Sequence, residues 1–124
     1  MAFAEPQFEL SEEDVYDRTH VIAIAGEIHV STAPRFSVLL DDAIGRGKTA
    51  VVLDLSAVDF IDSTGLSVLL NGLRRVTRQR GRMALVCVNP TVLRLFEITR
   101  LDATFDIHSS RKEALSAVQS GPAG

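Results

Sequence analysis

The sequence predicts an α/β domain, a mixed and mostly parallel sheet of about five strands with about four helices. Three observations predict it. Apolar runs of strand length, such as Ala50-Val-Val-Leu-Asp-Leu55 and Met83-Ala-Leu-Val-Cys-Val88, alternate with segments whose apolar residues recur every three or four positions. From His20 onward that alternation is regular, the order expected of parallel strands joined by right-handed crossover helices. One further strand candidate precedes the series, so one neighbour pairs antiparallel.

The first strand is read at Phe8–Leu10, followed by a loose polar connection, Ser11 to Thr19, in which Val15 and Tyr16 can extend either strand. His20-Val-Ile-Ala-Ile-Ala-Gly26 is a stronger strand, rich in β-branched residues and ended by glycine. A helix then opens with Ser31 or Thr32 as cap and Pro34 near its first position. Phe36, Leu39, Leu40, Ala43 and Ile44 form its apolar stripe, and Gly45 and Gly47 end it. Gly45-Arg-Gly-Lys48 lacks the spacing of a phosphate loop and follows a helix rather than a strand, so it reads as a C-cap turn.

Ala50–Leu55 is nearly all apolar, as a central strand must be. The turn Asp59-Phe-Ile-Asp-Ser-Thr-Gly65 leads into a second helix with the stripe Leu66, Leu69, Leu70, Leu73 and Val76. Arg74, Arg75, Arg78, Arg80 and Arg82 crowd the end of that helix, where cations complement the macrodipole. The strand Met83–Val88 follows, then Asn89-Pro90 as cap and first turn of a short helix carrying Val92, Leu93, Phe96 and Ile98. Thr104–His108 reads as an edge strand, and Ser110-Arg-Lys-Glu113 as a capping box for a last helix with Leu115 and Val118. The domain thus spans 8–118, between a flexible N-terminus, 1–7, and a flexible tail, 119–124.

Composition narrows the function. A net charge of −3 provides no field that gathers nucleic acid or an anionic membrane. The single cysteine, Cys87, lies in an apolar run and reads as a small buried hydrophobe in a reducing compartment. Neither a secretory leader nor a membrane-spanning apolar stretch is present, so the chain reads as soluble and cytoplasmic. His20, His29 and His108 lie far apart without metal-ligand spacing, and no nucleophile elbow or dinucleotide turn occurs. The sequence therefore points to a binding protein that needs no metal or cofactor, rather than to an enzyme.

The feature that stands out is Asp62-Ser63-Thr64-Gly65 at a helix start. It differs from the aspartic-protease Asp-Ser/Thr-Gly motif by one additional residue, and no second copy completes a carboxylate dyad. On local physics either Asp62 or Ser63 caps the helix, whose first N–H groups lack intrahelical partners. The same Ser63 hydroxyl is a candidate phosphorylation site, since phosphate at that end of the dipole is tolerated by the fold.

Gly26-Glu-Ile, Thr32-Ala-Pro34, Val52-Leu-Asp-Leu-Ser56, Val58-Asp-Phe-Ile-Asp-Ser-Thr-Gly-Leu66 and Gly81-Arg-Met-Ala-Leu-Val86 before Asn89-Pro90 together resemble a STAS domain. Within that family they resemble the bacterial anti-sigma-factor antagonists. The resemblance implies partner switching: the unphosphorylated form binds an anti-sigma factor that is a serine kinase and so frees a sigma factor. The kinase then phosphorylates the antagonist, which abolishes binding, and a serine phosphatase resets it. Carried over, Ser63 is the phosphoacceptor, with Asp62, Thr64, Gly65 and Leu66 around it and Glu27, His29, Ser31 and Thr32 on the loop that completes the partner surface. With its charge balance and lack of a spanning stretch, the chain is expected to take no partner among nucleic acids or membranes. His29 stands where many antagonists carry an aspartate, and a constitutive STAS scaffold, signalling or transport-accessory module without phosphoregulation is the alternative.

Overall fold

The computed structural model describes residues 8–16 and 18–119. Its strands β1 (Glu9–Tyr16), β2 (Thr19–Ile28), β3 (Ala50–Ile61), β4 (Arg82–Val86) and β5 (Asp106–His108) lie side by side in chain order in one sheet. β1 pairs antiparallel with β2, and every later pairing is parallel. The helices are α1 (Ala33–Gly45), α2 (Ser63–Arg78), α3 (Pro90–Ile98) and α4 (Arg111–Gln119), with a 3-10 turn at Leu101–Ala103.

The layering follows from handedness. When parallel strands are laid down in sequential order, right-handed crossovers put every connecting helix on the same face. α1, α2 and α3 therefore share one face, burying Phe36, Leu40, Ile44, Leu69, Val76, Val92 and Phe96 against Ile22, Ile24, Leu53, Leu55 and Leu85. α4 follows the last strand and crosses nothing, so it is free to cover the other face, where Ala114 and Val118 meet Val21, Val52, Ala84 and Val86. Each large side chain removed from water here contributes about 1.5–3 kcal/mol.

Several element boundaries differ from the sequence reading, each for a physical reason. β1 is a full strand through Tyr16, not a short one followed by a loose connection. Its polarity hides it. Leu10, Glu12 and Asp14 pair opposite Ile24, Ile22 and His20, and the two acids meet cations instead of an apolar core. Asp14 Oδ1 lies 2.5 Å from His20 Nδ1 and 3.2 Å from Lys48 Nζ. Those contacts, His20 first and Lys48 second, hold the Asp14 carboxyl below its ordinary range. β3 runs on to Ile61 and β4 stops at Val86. β5 keeps only Asp106–His108, because the 3-10 turn takes the chain just before it.

Other local readings hold. Gly47, at φ +85°, closes α1: its N–H donates to Ile44 O and the Lys48 N–H to Ala43 O, the Schellman arrangement. Asn89 Oδ1 accepts the N–H groups of Thr91 and Val92 at 2.8 and 3.3 Å. The capping box at Ser110 forms by half: Ser110 Oγ accepts the Glu113 N–H at 3.2 Å, but the Glu113 carboxylate takes its bond from Ser109 Oγ instead of the Ser110 N–H. Of the expected flexible segments 1–7 and 119–124, all but Gln119 lie outside the described residues, and Gln119 belongs to α4.

Candidate functional site

β2 and β3 run parallel with Glu27 beside Phe60 and Ile28 beside Ile61. The loop leaving β2 and the turn leaving β3 therefore emerge together, and the Asp62 N–H ties them by donating to the Ile28 carbonyl at 3.0 Å. Crevices outside the carboxyl ends of strands are where open α/β sheets bind, because loops and helix N-termini converge there.

The structure settles which residue caps α2. Asp62 is extended, φ −105° and ψ −174°, and its Oδ1 accepts the Gly65 N–H at 3.0 Å. Its carbonyl accepts the Leu66 N–H at 3.0 Å. Ser63 is consequently the first helical residue. Its side chain is exposed, and no hydrogen bond engages its hydroxyl among the described residues. The Ser63 carbonyl accepts from Ser67 Oγ at 3.0 Å, so its backbone is held while its side chain is free.

Gly65 sets how closely the first turn of α2 approaches the strands. A Cβ there would sit 2.7 Å from both Ile28 Cγ2 and Ile61 Cγ1, so only glycine lets the first turn of α2 seat on the strand ends. Leu66, 8% exposed, faces the core behind it.

The adjoining loop is organised by Thr32. Its Oγ1 donates to the Glu27 carbonyl at 2.7 Å and accepts the His29 N–H at 2.9 Å. Turned this way, the hydroxyl makes no cap bond to α1, although Thr32 occupies the cap position. The His29 carbonyl accepts the N–H groups of Thr32 and Ala33 at 3.0 and 2.7 Å. His29 Nδ1 accepts the Ser31 N–H at 3.1 Å, which in the neutral ring leaves the proton on Nε2, 4.0 Å from Glu27 Oε1.

The residues expected at a partner surface thus divide. Ser63 and Ser31 are exposed, and Asp62, Thr64, Glu27 and His29 are half-buried at the rim. Gly65, Leu66 and Thr32 are buried, so they shape the surface from behind and offer it no side chain. Glu27, Asp59 and Asp62 make the rim acidic, and none of the three pairs with a lysine or arginine among the described residues.

Sequence reasoning missed the apolar part of this surface. Phe60 is 47% exposed and, with Thr91, Leu95 and Ile98, bounds a groove of about 280 Å³ beside the turn. The cause is a bulge: Gly26 pairs with Val58 but Glu27 with Phe60, so the additional residue Asp59 flips the parity of the strand end. Two consecutive exposed residues, Asp59 and Phe60, between buried Val58 and Ile61 are the trace it leaves.

A second bulge in β3 builds a polar contact on the α4 face. Ala23 pairs with Asp54 and Ala25 with Ala57, and Asp54 Oδ1 accepts from the Ser56 N–H at 3.0 Å and from its hydroxyl. Arg111 grips Oδ2 with two donors at 2.9 and 3.2 Å and reaches Glu13 at 2.9 Å. Burial by itself raises the Asp54 carboxyl; the bonds from Ser56, then Arg111, outweigh it and hold the group below its ordinary range. This is a clasp between α4 and the sheet, remote from Ser63. Burial also raises the Cys87 thiol, against the Asn89 N–H that favours thiolate. Among the described residues no cluster of three or more His, Cys, Asp or Glu could hold a metal ion.

The STAS domain family profile matches residues 12–114. The anti-sigma-F factor antagonist RsfB of Mycobacterium tuberculosis is 32% identical over 101 residues, 82% of this chain and 82% of that protein. Among solved structures, an anti-sigma factor antagonist from Mycobacterium paratuberculosis superposes with a TM-score of 0.83 at 31% identity, covering 92% of this chain and 96% of that one. The antagonist SpoIIAA in its unphosphorylated form matches with a TM-score of 0.77 at 26% identity, over 94% of this chain and 99% of its own. The Bacillus cell fate determinant SpoIIAA in its phosphorylated form matches at 0.69 and 25%, over 91% and 100%.

Proposed function

The chain belongs to the STAS domain family, and we propose that it is an anti-sigma-factor antagonist whose unphosphorylated form binds an anti-sigma factor serine kinase and frees a sigma factor. The names of its relatives support the antagonist role. One observation carries the switch: Asp62 takes over the capping of α2, so the Ser63 hydroxyl stands exposed and unengaged on a fixed backbone. The kinase transfers the γ-phosphoryl group of ATP to Ser63 Oγ, the hydroxyl proton leaves to a base of the kinase, and ADP is released. The product carries about −1.5 to −2 additional charges at the start of a helix, where the dipole favours them. The fold therefore persists. The partner surface does not, because the charge arrives beside Glu27, Asp59 and Asp62 and must be desolvated on docking. A serine phosphatase restores the hydroxyl. The protein acts by binding, in the cytoplasm, and no helix among the described residues is long and apolar enough to cross a membrane.

The test is phosphorylation with ATP by the kinase-type anti-sigma factors encoded in the same genome, with the phosphate mapped by mass spectrometry. Phosphate at Ser63, absent from Ser63→Ala, is expected; phosphate only elsewhere refutes the assignment. Ser63→Asp is expected to weaken capture of that kinase about tenfold or more, since an unpaired charge taken out of water on docking is costly, with an unchanged circular dichroism spectrum.

A further inference from the structure

The exposed face of α2 is a single stripe. Ser63, Ser67, Asn71, Arg74 and Arg78 follow at spacings of three and four and are all exposed. At a rise of about 1.5 Å per residue, the arginines begin about 17 Å from Ser63. There the stripe enters a groove of about 380 Å³ between α1 and α2, lined by Ser37, Asp41, Asn71, Arg74, Arg75 and Arg78. Asp41 is the groove's only acid among the described residues and is already bound to Arg75, Nη1 to Oδ1 at 2.5 Å. Arg74 and Arg78 have no ion-pair partner among the described residues.

Charge is therefore segregated along one helix face in a chain that is acidic overall. The end at Ser63 lies among Glu27, Asp59 and Asp62, and the far end is basic. Arginines in the last turn complement the macrodipole, but that effect fades within one turn and leaves Arg74, at the groove mouth, unaccounted for. Two uncompensated guanidinium groups beside a polar groove, on the same face as the phosphoacceptor, fit an acidic segment of a protein that lies along α2.

We propose that the docking surface extends from Ser63 along α2 into this groove, and that Arg74 and Arg78 receive an acidic segment of the anti-sigma factor. The inference rests on the antagonist reading given above. An interface of ordinary size, about 800 Å² per partner, readily spans the distance. Guanidinium–carboxylate contacts at its rim mainly speed association and make it salt-dependent.

The experiment measures capture of the kinase-type anti-sigma factors of the same genome by the full chain. It compares wild type, Arg74→Glu with Arg78→Glu, a control of equal charge change on other surfaces (Arg18→Glu with Lys112→Glu), and Ser63→Asp. The arginine variant is expected to bind at least tenfold more weakly at low salt, with a flatter salt dependence, while the control stays within twofold of wild type. Equal loss in the control and the arginine variant, or no loss in the latter while Ser63→Asp still weakens capture, overturns this inference and leaves the antagonist reading standing. Failure of the wild type to capture any of these factors overturns both.

Discussion

Separating the roles of Asp62 and Ser63 is the sharpest test of the site, because the two residues are neighbours that sequence alone cannot tell apart. Asp62→Ala removes the bond from the Gly65 N–H to Oδ1, 3.0 Å long, and a carboxylate from the positive end of α2. Loss of a side-chain cap costs about 1 kcal/mol, and loss of the charge at the dipole about 0.3–1 kcal/mol. The sum, about 1–2 kcal/mol, is a fall in Tm of about 4–8 °C for a domain of this size. Ser63→Ala removes a hydroxyl that is exposed and bonded to nothing among the described residues. Alanine is also the better helix former, so stability should stay within about 0.5 kcal/mol of wild type. Thermal and urea unfolding followed by circular dichroism measure both. A cost for Ser63→Ala equal to or above that of Asp62→Ala would show that Ser63 caps the helix, and the argument that its hydroxyl is free for phosphorylation would fall.

Gly65→Ala should cost about 1–3 kcal/mol by overpacking against Ile28 and Ile61, and it should lower the rate of Ser63 phosphorylation by tilting the first turn; an unfolding midpoint matching wild type refutes the contact. Asp54→Asn should cost about 1–2 kcal/mol near pH 7, through weakened bonds to Arg111 and Ser56. A carboxyl held low in the fold contributes stability above its unfolded value near 3.8 and loses it as pH falls through the lower folded value. The gap between wild type and Asp54→Asn in urea midpoint should therefore narrow as the pH falls below the unfolded value near 3.8, and a constant gap counts against the clasp. Arg80 closes α2 at φ +61°, a left-handed conformation that costs a residue with a Cβ about 1 kcal/mol; Arg80→Gly should raise stability by about 0.5–1 kcal/mol, seen as a higher Tm.

The order of elements, the mostly parallel sheet, the caps at Asn89 and Ser110 and the turn at Asp62–Gly65 were all legible in the chain. These are written in short-range signals: apolar period, glycine and proline placement, and polar residues that bond to backbone within three positions. The tertiary structure alone decided the rest. The reach of β1 beyond Leu10 was illegible because its acids Glu12 and Asp14 answer to His20, Lys48 and Arg46, which come from β2 and the chain just after α1. Phe60 read only as part of the turn into α2, and its exposure was hidden because only the pairing of β2 with β3 reveals the bulge that turns it outward. Thr32 read as surface because its burial comes from packing across the loop and the sheet, not from its own neighbours, whereas the apolar stripe already turned Leu66 inward. The capping choice lay between them. Asp62 and Ser63 are both able caps by composition, and it is the seating of Gly65 on Ile28 and Ile61 that fixes the first turn, gives the cap to Asp62 and leaves Ser63 free.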